Sequence, residues 1–384
     1  MSGDRELGDG AVCCLLHNLV PGGSGRQWVH LLGRHVRQGG RATIVAPPGP
    51  LGELATAAGI DVVPHVWDDR TPHGCETLWP LVSDHDVAIV HWDHRVMHAF
   101  EPALAACGRA ALVVHQAPHA LVRWFGPEIL PSAREPLASA VAARRGTVLV
   151  RGEWHRRRIA SAFEVPTRKL RVLPASIPLP AVPARPASAE PVEVLALMRL
   201  SPDKAAIAQL AAELVRARLE AGHDCRLNIA GEGAWRDGAI ALCERRLPHG
   251  SWRLEQPPDD PIARLAAAEL VVAQGLTTLE AAALERRVVV ARAIDDDRAA
   301  GAVLTPDRYS AAAGDPFGRP ALTNDPVRLW DEALALDAED LVAIREMVER
   351  ANSLEGAAAA LDAALRSTTP AWPAQVARGL ARRL

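Results

Sequence analysis

Lysine is almost absent from this chain: of 43 basic side chains only Lys169 and Lys204 are lysines, the rest being arginine. With the abundant alanine, this composition points to a bacterial genome rich in G and C, and it makes the position of each lysine informative. Net charge is also small. The basic residues stand against 46 acidic ones, leaving −3 at pH 7, so no broad basic field exists to hold a polyanion, and nucleic acid is excluded as the main partner. The six cysteines form no CxxC pair and no regular spacing, which speaks against a disulfide framework or a zinc ribbon and for a reducing compartment. No apolar run approaches the roughly 18 residues of a spanning helix, and the opening MSGDRELGDG is acidic and polar where a secretory signal is basic and then apolar. The expectation is a cytoplasmic protein without a transmembrane segment. There is also no internal repeat at the period of about 20–50 residues that marks solenoids.

What is present is an alternation. Hydrophobic residues make up 49% and charged residues 23% of 384, enough for a folded chain with two cores. Short β-branched runs alternate with longer amphipathic segments over nearly the whole length, the pattern of parallel sheets covered by helices. The class is α/β. Seven strands are expected in the first half: 11–16, 42–46, 61–66, 86–92, 111–115, 147–151 and 170–174. Six prolines between 174 and 191 cannot continue a sheet or a helix and read as a semi-rigid connector. This gives a first domain over 1–178, a linker over 179–191, a second domain over 192–354 and a helical tail over 355–384. In the second domain, strands at 192–198, 225–231, 269–273 and 288–291 alternate with helices at about 205–221, 235–246 and 279–285. The tail ends in WPAQVARGLARRL, a short basic amphipathic helix suited to packing across the two domains, with weak membrane-surface contact as the alternative.

Candidate site residues gather at expected strand ends, where open parallel sheets bind ligands. After the first strand, PGGSGRQWVHLL brings Gly22 and Gly23 to a helix N-terminus, a place where bare backbone N–H groups approach an anion or a sugar hydroxyl. Neither the dinucleotide fingerprint nor a P-loop is matched, and a plain tight turn fits too. Twelve of the 14 histidines precede residue 156, and His91, His94, His115 and His119 lie at or just past strand ends. No cysteine or carboxylate joins them at metal-ligand spacing, so no metal is expected. In the second half, RLSPDK sets Arg199 and Lys204 at a strand exit and helix entrance, where two cations can neutralise a departing diphosphate. Ser201 with Asp203 alternatively caps that helix. IAGEG places Gly231 and Gly233 in a second phosphate-compatible turn. In GLTTLEAAALE, Thr277 or Thr278 caps a helix and Glu280 falls in its first turn, suited to the helix dipole or to a ribose diol.

RLSPDK, IAGEG and GLTTLEAAALERRVVV, in that order and spacing, resemble the donor half of the retaining GT-B glycosyltransferases of the large family 4. PGGSGRQWVHLL, DVAIVHW and VVHQ are similar to that family's glycine loop, the strand before its acceptor cleft and its active-site histidine. The resemblance covers about residues 11–340. It implies two facing Rossmann-like domains with a cleft between them, a nucleotide-sugar held mostly by the second domain and an acceptor bound by the first. By position, Arg199 and Lys204 hold the donor diphosphate, Glu280 binds the ribose hydroxyls, Gly22 and Gly23 pass close to the phosphates, and Thr277 and Thr278 add phosphate or sugar contacts. Gly231 and Gly233 join the nucleotide set. His115 touches the donor sugar, with His91, His94 and His119 on the acceptor side. The leaving phosphate itself takes the acceptor proton, so neither a side-chain base, a metal nor another cofactor is expected beside the co-substrate, expected to be a UDP-sugar. The chain departs from the family in its paired glutamates: counting back from Glu280 gives Val272 where the first would stand, and Gln274 is the substitute acceptor. The usual Asn-Gly after the seventh strand is Ala175-Ser176. These departures motivate the alternative of a nucleotide-binding scaffold that has lost transfer.

Overall fold

The computed structural model describes residues 10–67, 75–93, 96–114, 129–143, 146–182, 191–293, 298–311 and 322–366. The chain divides into two compact units, one running to Ala175 and resumed from Leu354, the other spanning Ser176–Ser353. The sequence places the boundary in the proline-rich stretch 179–191, whereas the contacts divide the chain just before it.

The first unit is built on seven parallel strands: β1 (Ala11–Leu15), β2 (Arg41–Ala46), β3 (Asp61–Pro64), β4 (Val87–His91), β5 (Ala110–Val114), β6 (Gly146–Val150) and β7 (Leu170–Val172), in the order β3-β2-β1-β4-β5-β6-β7. All seven expected strands form. The central ones are buried on both faces, which is why AVCCL, VAIVH and AALVV are continuous apolar runs rather than alternating ones. Helix Gly23–Arg37 follows β1. Its stripe of Trp28, Leu31 and Leu32 is buried, worth roughly 1.5–3 kcal/mol for each fully covered side chain. Against the same face packs the helix Leu354–Arg366, through Leu361 and Leu365. This helix and the glycine-loop helix therefore share one core, while the basic segment WPAQVARGLARRL lies outside the described residues.

The second unit holds β8 (Val192–Leu197), β9 (Cys225–Ala230), β10 (Trp252–Glu255), β11 (Leu270–Ala273), β12 (Arg287–Ala293) and β13 (Ala299–Val303), in the order β10-β9-β8-β11-β12-β13. Five strands are parallel and β13 runs antiparallel to β12. Helices Ala205–Glu220, Arg236–Arg246, Pro261–Ala266 and Leu276–Ala283 connect them. Two strands escape the sequence reading. Trp252–Glu255 is only four residues long, and the Ala- and Gly-rich β13 has no β-propensity of its own and exists because β12 offers it an edge. Arg264 ties the short helix after β10 to the sheet, with Glu193 at 2.5 Å and Glu255 at 3.1 Å. Trp330 is buried and donates its indole N–H to the carbonyl of Leu214, fastening helix Pro326–Ala335 to Ala205–Glu220. The cysteines Cys13, Cys14, Cys107, Cys225 and Cys243 are buried free thiols, and among the described residues no helix is long and apolar enough to cross a membrane.

Helix Leu354–Arg366 is thus part of the first core. Leu365→Ala will lower the stability of the first unit by about 2–4 kcal/mol through the cavity it leaves, and denaturant unfolding checks this. A change below about 0.5 kcal/mol, the scale of a surface substitution, would contradict the packing.

Candidate functional site

Each sheet reverses its strand order once, between β1 and β4 in the first unit and between β8 and β11 in the second. At such a reversal the flanking connections leave on opposite faces and open a crevice beyond the strand ends. In both sheets a side-chain contact joins the two exits.

In the second unit, β8 runs into Met198–Ser201, then a 3-10 turn Pro202–Lys204 that continues into helix Ala205–Glu220. This exit is tied to that of β9. The N–H of Met198 donates to Ala230 O at 3.0 Å, that of Leu200 to Glu232 O at 2.7 Å, and that of Trp235 to Leu200 O at 3.0 Å. Here lies the need for Gly231 and Gly233. Both have positive φ, 151° and 143°, and a Cβ on them would stand 1.8 Å from the carbonyl oxygen of Met198 and 2.2 Å from that of Leu200. Their bare sides face the protein's own backbone. They let two strand exits pack together and so fix the segment that bears Arg199.

The side chains of that segment converge. Arg199 donates from Nε to Ser201 Oγ at 3.1 Å and from Nη2 to Asp203 Oδ1 at 3.3 Å. Lys204 Nζ lies 3.5 Å from Asp203 Oδ2 and donates to Gln274 Oε1 at 3.0 Å. The two cations expected at one crevice therefore flank a single carboxylate. Ser201 and Asp203 do not cap the helix with their side chains; the Ser201 hydroxyl donates to Asp203 at 2.5 Å instead. Partial burial opposes charge on Asp203, but the Ser201 hydroxyl, Lys204 and Arg199 outweigh it and hold the carboxyl below its ordinary range. It is ionised at neutral pH. Gln274 is the first residue beyond β11, so the Lys204–Gln274 bond spans the strand-order reversal.

After Gln274 the chain turns at Gly275, with φ of 75° and open space where a Cβ would be, and enters helix Leu276–Ala283. Gly275 is the N-cap, so neither Thr277 nor Thr278 caps the helix as expected. A connection of two residues between strand and helix needs a left-handed turn that a β-branched residue disfavours. The earlier start moves Glu280 from the first helical turn to the second. Thr278 and Glu280 are buried, at 0% and 2% exposure, and Thr277 is half-buried.

In the first unit, Gly22 is an extended N-cap for helix Gly23–Arg37, whose first turn carries no acid and no side-chain cap. Gly22 and Gly23 thus stand at its amide end, in the connection that follows β1. His91, the last residue of β4, is 1% exposed, and its Nδ1 lies 3.2 Å from Nδ1 of His17 beyond β1, the rings stacked 5.2 Å apart. The acceptor-side role expected for His91 therefore meets a buried side chain, in contact with the half-buried His17. His17 escaped the sequence reading because nothing in the order of residues pairs position 17 with position 91. Burial, reinforced by His17 and Arg151, pushes His91 well below the usual imidazole range and keeps it neutral. His94, His115 and His119 lie outside the described residues. No group of three or more metal-ligating side chains occurs among the described residues.

Two Rossmann-like sheets with these reversals give the chain the GT-B fold, which solved glycosyltransferases share. A glycosyltransferase from Rickettsia africae matches with a TM-score of 0.66 at 11% identity, over 94% of this chain and 100% of its own. Anabaena Alr3699/HepE in complex with UDP-glucose matches with a TM-score of 0.68 at 13% identity, over 93% and 100%. S. aureus TarM matches with a TM-score of 0.55 at 18% identity, over 76% and 58%. At these identities the likeness is one of fold. No protein-family model matches the chain, and no curated protein matches its sequence.

Two outcomes follow from this geometry. Gly231→Ala will cost about 2–4 kcal/mol through overpacking and strain, and unfolding together with nucleotide titration will show that it disturbs the Arg199 segment; a neutral substitution would refute the close approach. The histidines set an acid limit. His30 is lowered to about 4 by burial and by Arg26 and Arg37, and His91 is lowered too, whereas the unfolded chain restores their ordinary 6.5. Between these values the unfolded state binds more protons, so stability is full above pH 6.5 and is lost as pH falls toward 4. Melting temperatures across that window will fall with pH, and His30→Gln will flatten the fall.

Proposed function

We propose that the chain is a retaining glycosyltransferase that moves a sugar from a nucleoside-diphosphate donor, a UDP-sugar, to a hydroxyl acceptor in the cytoplasm. The observation that carries this reading is the convergence of Arg199 and Lys204 on one point at the strand-order reversal of the second sheet. In so arginine-rich a chain, one of two lysines stands where a leaving diphosphate needs charge. Neighbours of the same fold were crystallised with UDP and with UDP-glucose, which favours uridine as the base.

In this reading Arg199 and Lys204 bind the diphosphate and stabilise the charge that grows on it as the bond to the sugar breaks. Preorganised cations do this without the reorganisation that water requires. Glu280 accepts hydrogen bonds from the ribose hydroxyls, Thr277 and Thr278 lie beside the phosphates, and the amide end of the helix after Gly22 and Gly23 adds partial positive charge. By the family resemblance the donor sugar is assigned to His115 and the acceptor to His94 and His119, with His91 acting through His17. The departing phosphate oxygen takes the acceptor proton on the face it leaves, which retains configuration.

One feature supports a second reading. Val272 stands where the first of the paired glutamates would, and Lys204 instead bonds the amide of Gln274 across the reversal, which fits a nucleotide-binding scaffold without transfer.

A thermal-shift screen of UDP-, GDP- and dTDP-sugars, followed by a product assay, separates the two: binding with transfer supports the enzyme, binding without it the scaffold. Lys204→Ala and Arg199→Ala will each lower kcat/KM by about a hundredfold or more, the scale of 2.7–4 kcal/mol per preorganised contact. Full activity in either variant would remove the diphosphate assignment. Glu280→Gln will weaken donor binding by about tenfold, the value of one charge-assisted hydrogen bond; an unchanged donor affinity would remove its ribose role.

A further inference from the structure

The two cations proposed to hold the diphosphate already have an anion. Asp203 takes Nη2 of Arg199 at 3.3 and 3.5 Å with its two oxygens, takes the Ser201 hydroxyl at 2.5 Å, and lies 3.5 Å from Lys204 Nζ. Arg199 is thereby held along its Nε–Nη2 edge, the edge that matches a phosphate in a bidentate contact. The cluster of Arg199, Asp203 and Lys204, with the neutral Gln274, carries one net positive charge instead of two. Asp203 sits in a surface turn with its side chain 28% exposed, in contact with the partly exposed Arg199 and Lys204. It has no core to support, and the helix it precedes obtains no side-chain cap from it.

We propose that Asp203 is an internal counter-ion of the diphosphate site: it holds Arg199 and Lys204 side by side and competes with the nucleotide for them, so that its charge weakens diphosphate binding and speeds release of the product. The inference rests on the donor reading above. Its low proton affinity means that no ordinary assay pH neutralises it, so the charge is a fixed part of the site and only substitution removes it. Two like charges brought to the same pair of cations repel one another, and the protein has built one of them in. The consequence is specific. The competition acts on the diphosphate alone and leaves the base and ribose untouched.

The test is calorimetric titration of wild type and Asp203→Asn with UDP, GDP, dTDP and, as a probe without phosphate, uridine, with Arg199→Ala as the control. Asparagine keeps the shape and removes the charge. The expected result is UDP binding about tenfold tighter in Asp203→Asn, equal to about 1.4 kcal/mol, a steeper loss of that affinity with added salt, and unchanged uridine binding. In steady state the variant shows stronger UDP inhibition and a lower kcat. A merely structural role for Asp203 would weaken UDP and uridine together and overturn the proposal. So would UDP binding that tightens by less than threefold while Arg199→Ala abolishes it, an outcome that leaves the donor reading standing. A wild type that binds none of the three nucleoside diphosphates overturns the donor reading and the competition with it. Asp203→Ser provides the same charge change should the asparagine variant not fold.

Discussion

The strand order of the two parallel sheets is the constraint on which the site depends. Because β1 leads to β2 on one side and β4 continues on the other, and β8 and β11 repeat the arrangement, each sheet has one place where neighbouring strand exits diverge. Residues far apart in the chain meet there. His17 reaches His91 across 74 positions, and Lys204 reaches Gln274 across 70. Neither contact is a local feature of helix or turn. Both exist because the hydrophobic sheet interior fixes where the strands end.

The two reversals differ in electrostatics. In the first unit burial, reinforced by His17 and Arg151, holds His91 unprotonated. The second has a set of fixed charges, Arg199, Asp203 and Lys204, with one amide. A cationic set suits a diphosphate. The support behind the charges is backbone. Gly231 and Gly233 lock the exit of β9 onto that of β8, and the 3-10 turn leads Lys204 directly into a helix of 16 residues. Rigidity at that point is what makes the cations preorganised.

Much of this was legible in the order of residues. All seven strands of the first sheet and four of the six in the second follow from β-branched apolar runs, since a parallel strand buried on both faces has little choice of composition. Arg199 and Lys204 were legible because lysine is so scarce. Less legible were features whose cause lies elsewhere in the chain: β13 forms on the edge that β12 offers, Gly275 takes the cap expected of Thr277 or Thr278, and Gly231 and Gly233 meet the carbonyls of Met198 and Leu200.

By itself the sequence determined the class of fold, the strands and the positions at which cations and glycines leave them, because propensity, periodicity and turn chemistry act over a few residues. Tertiary structure alone decided which exits became neighbours. It buried His91 against His17, set Asp203 between two cations and placed Gln274 against Lys204, because such contacts are chosen by strand order and by the close packing of backbones, which no local pattern records.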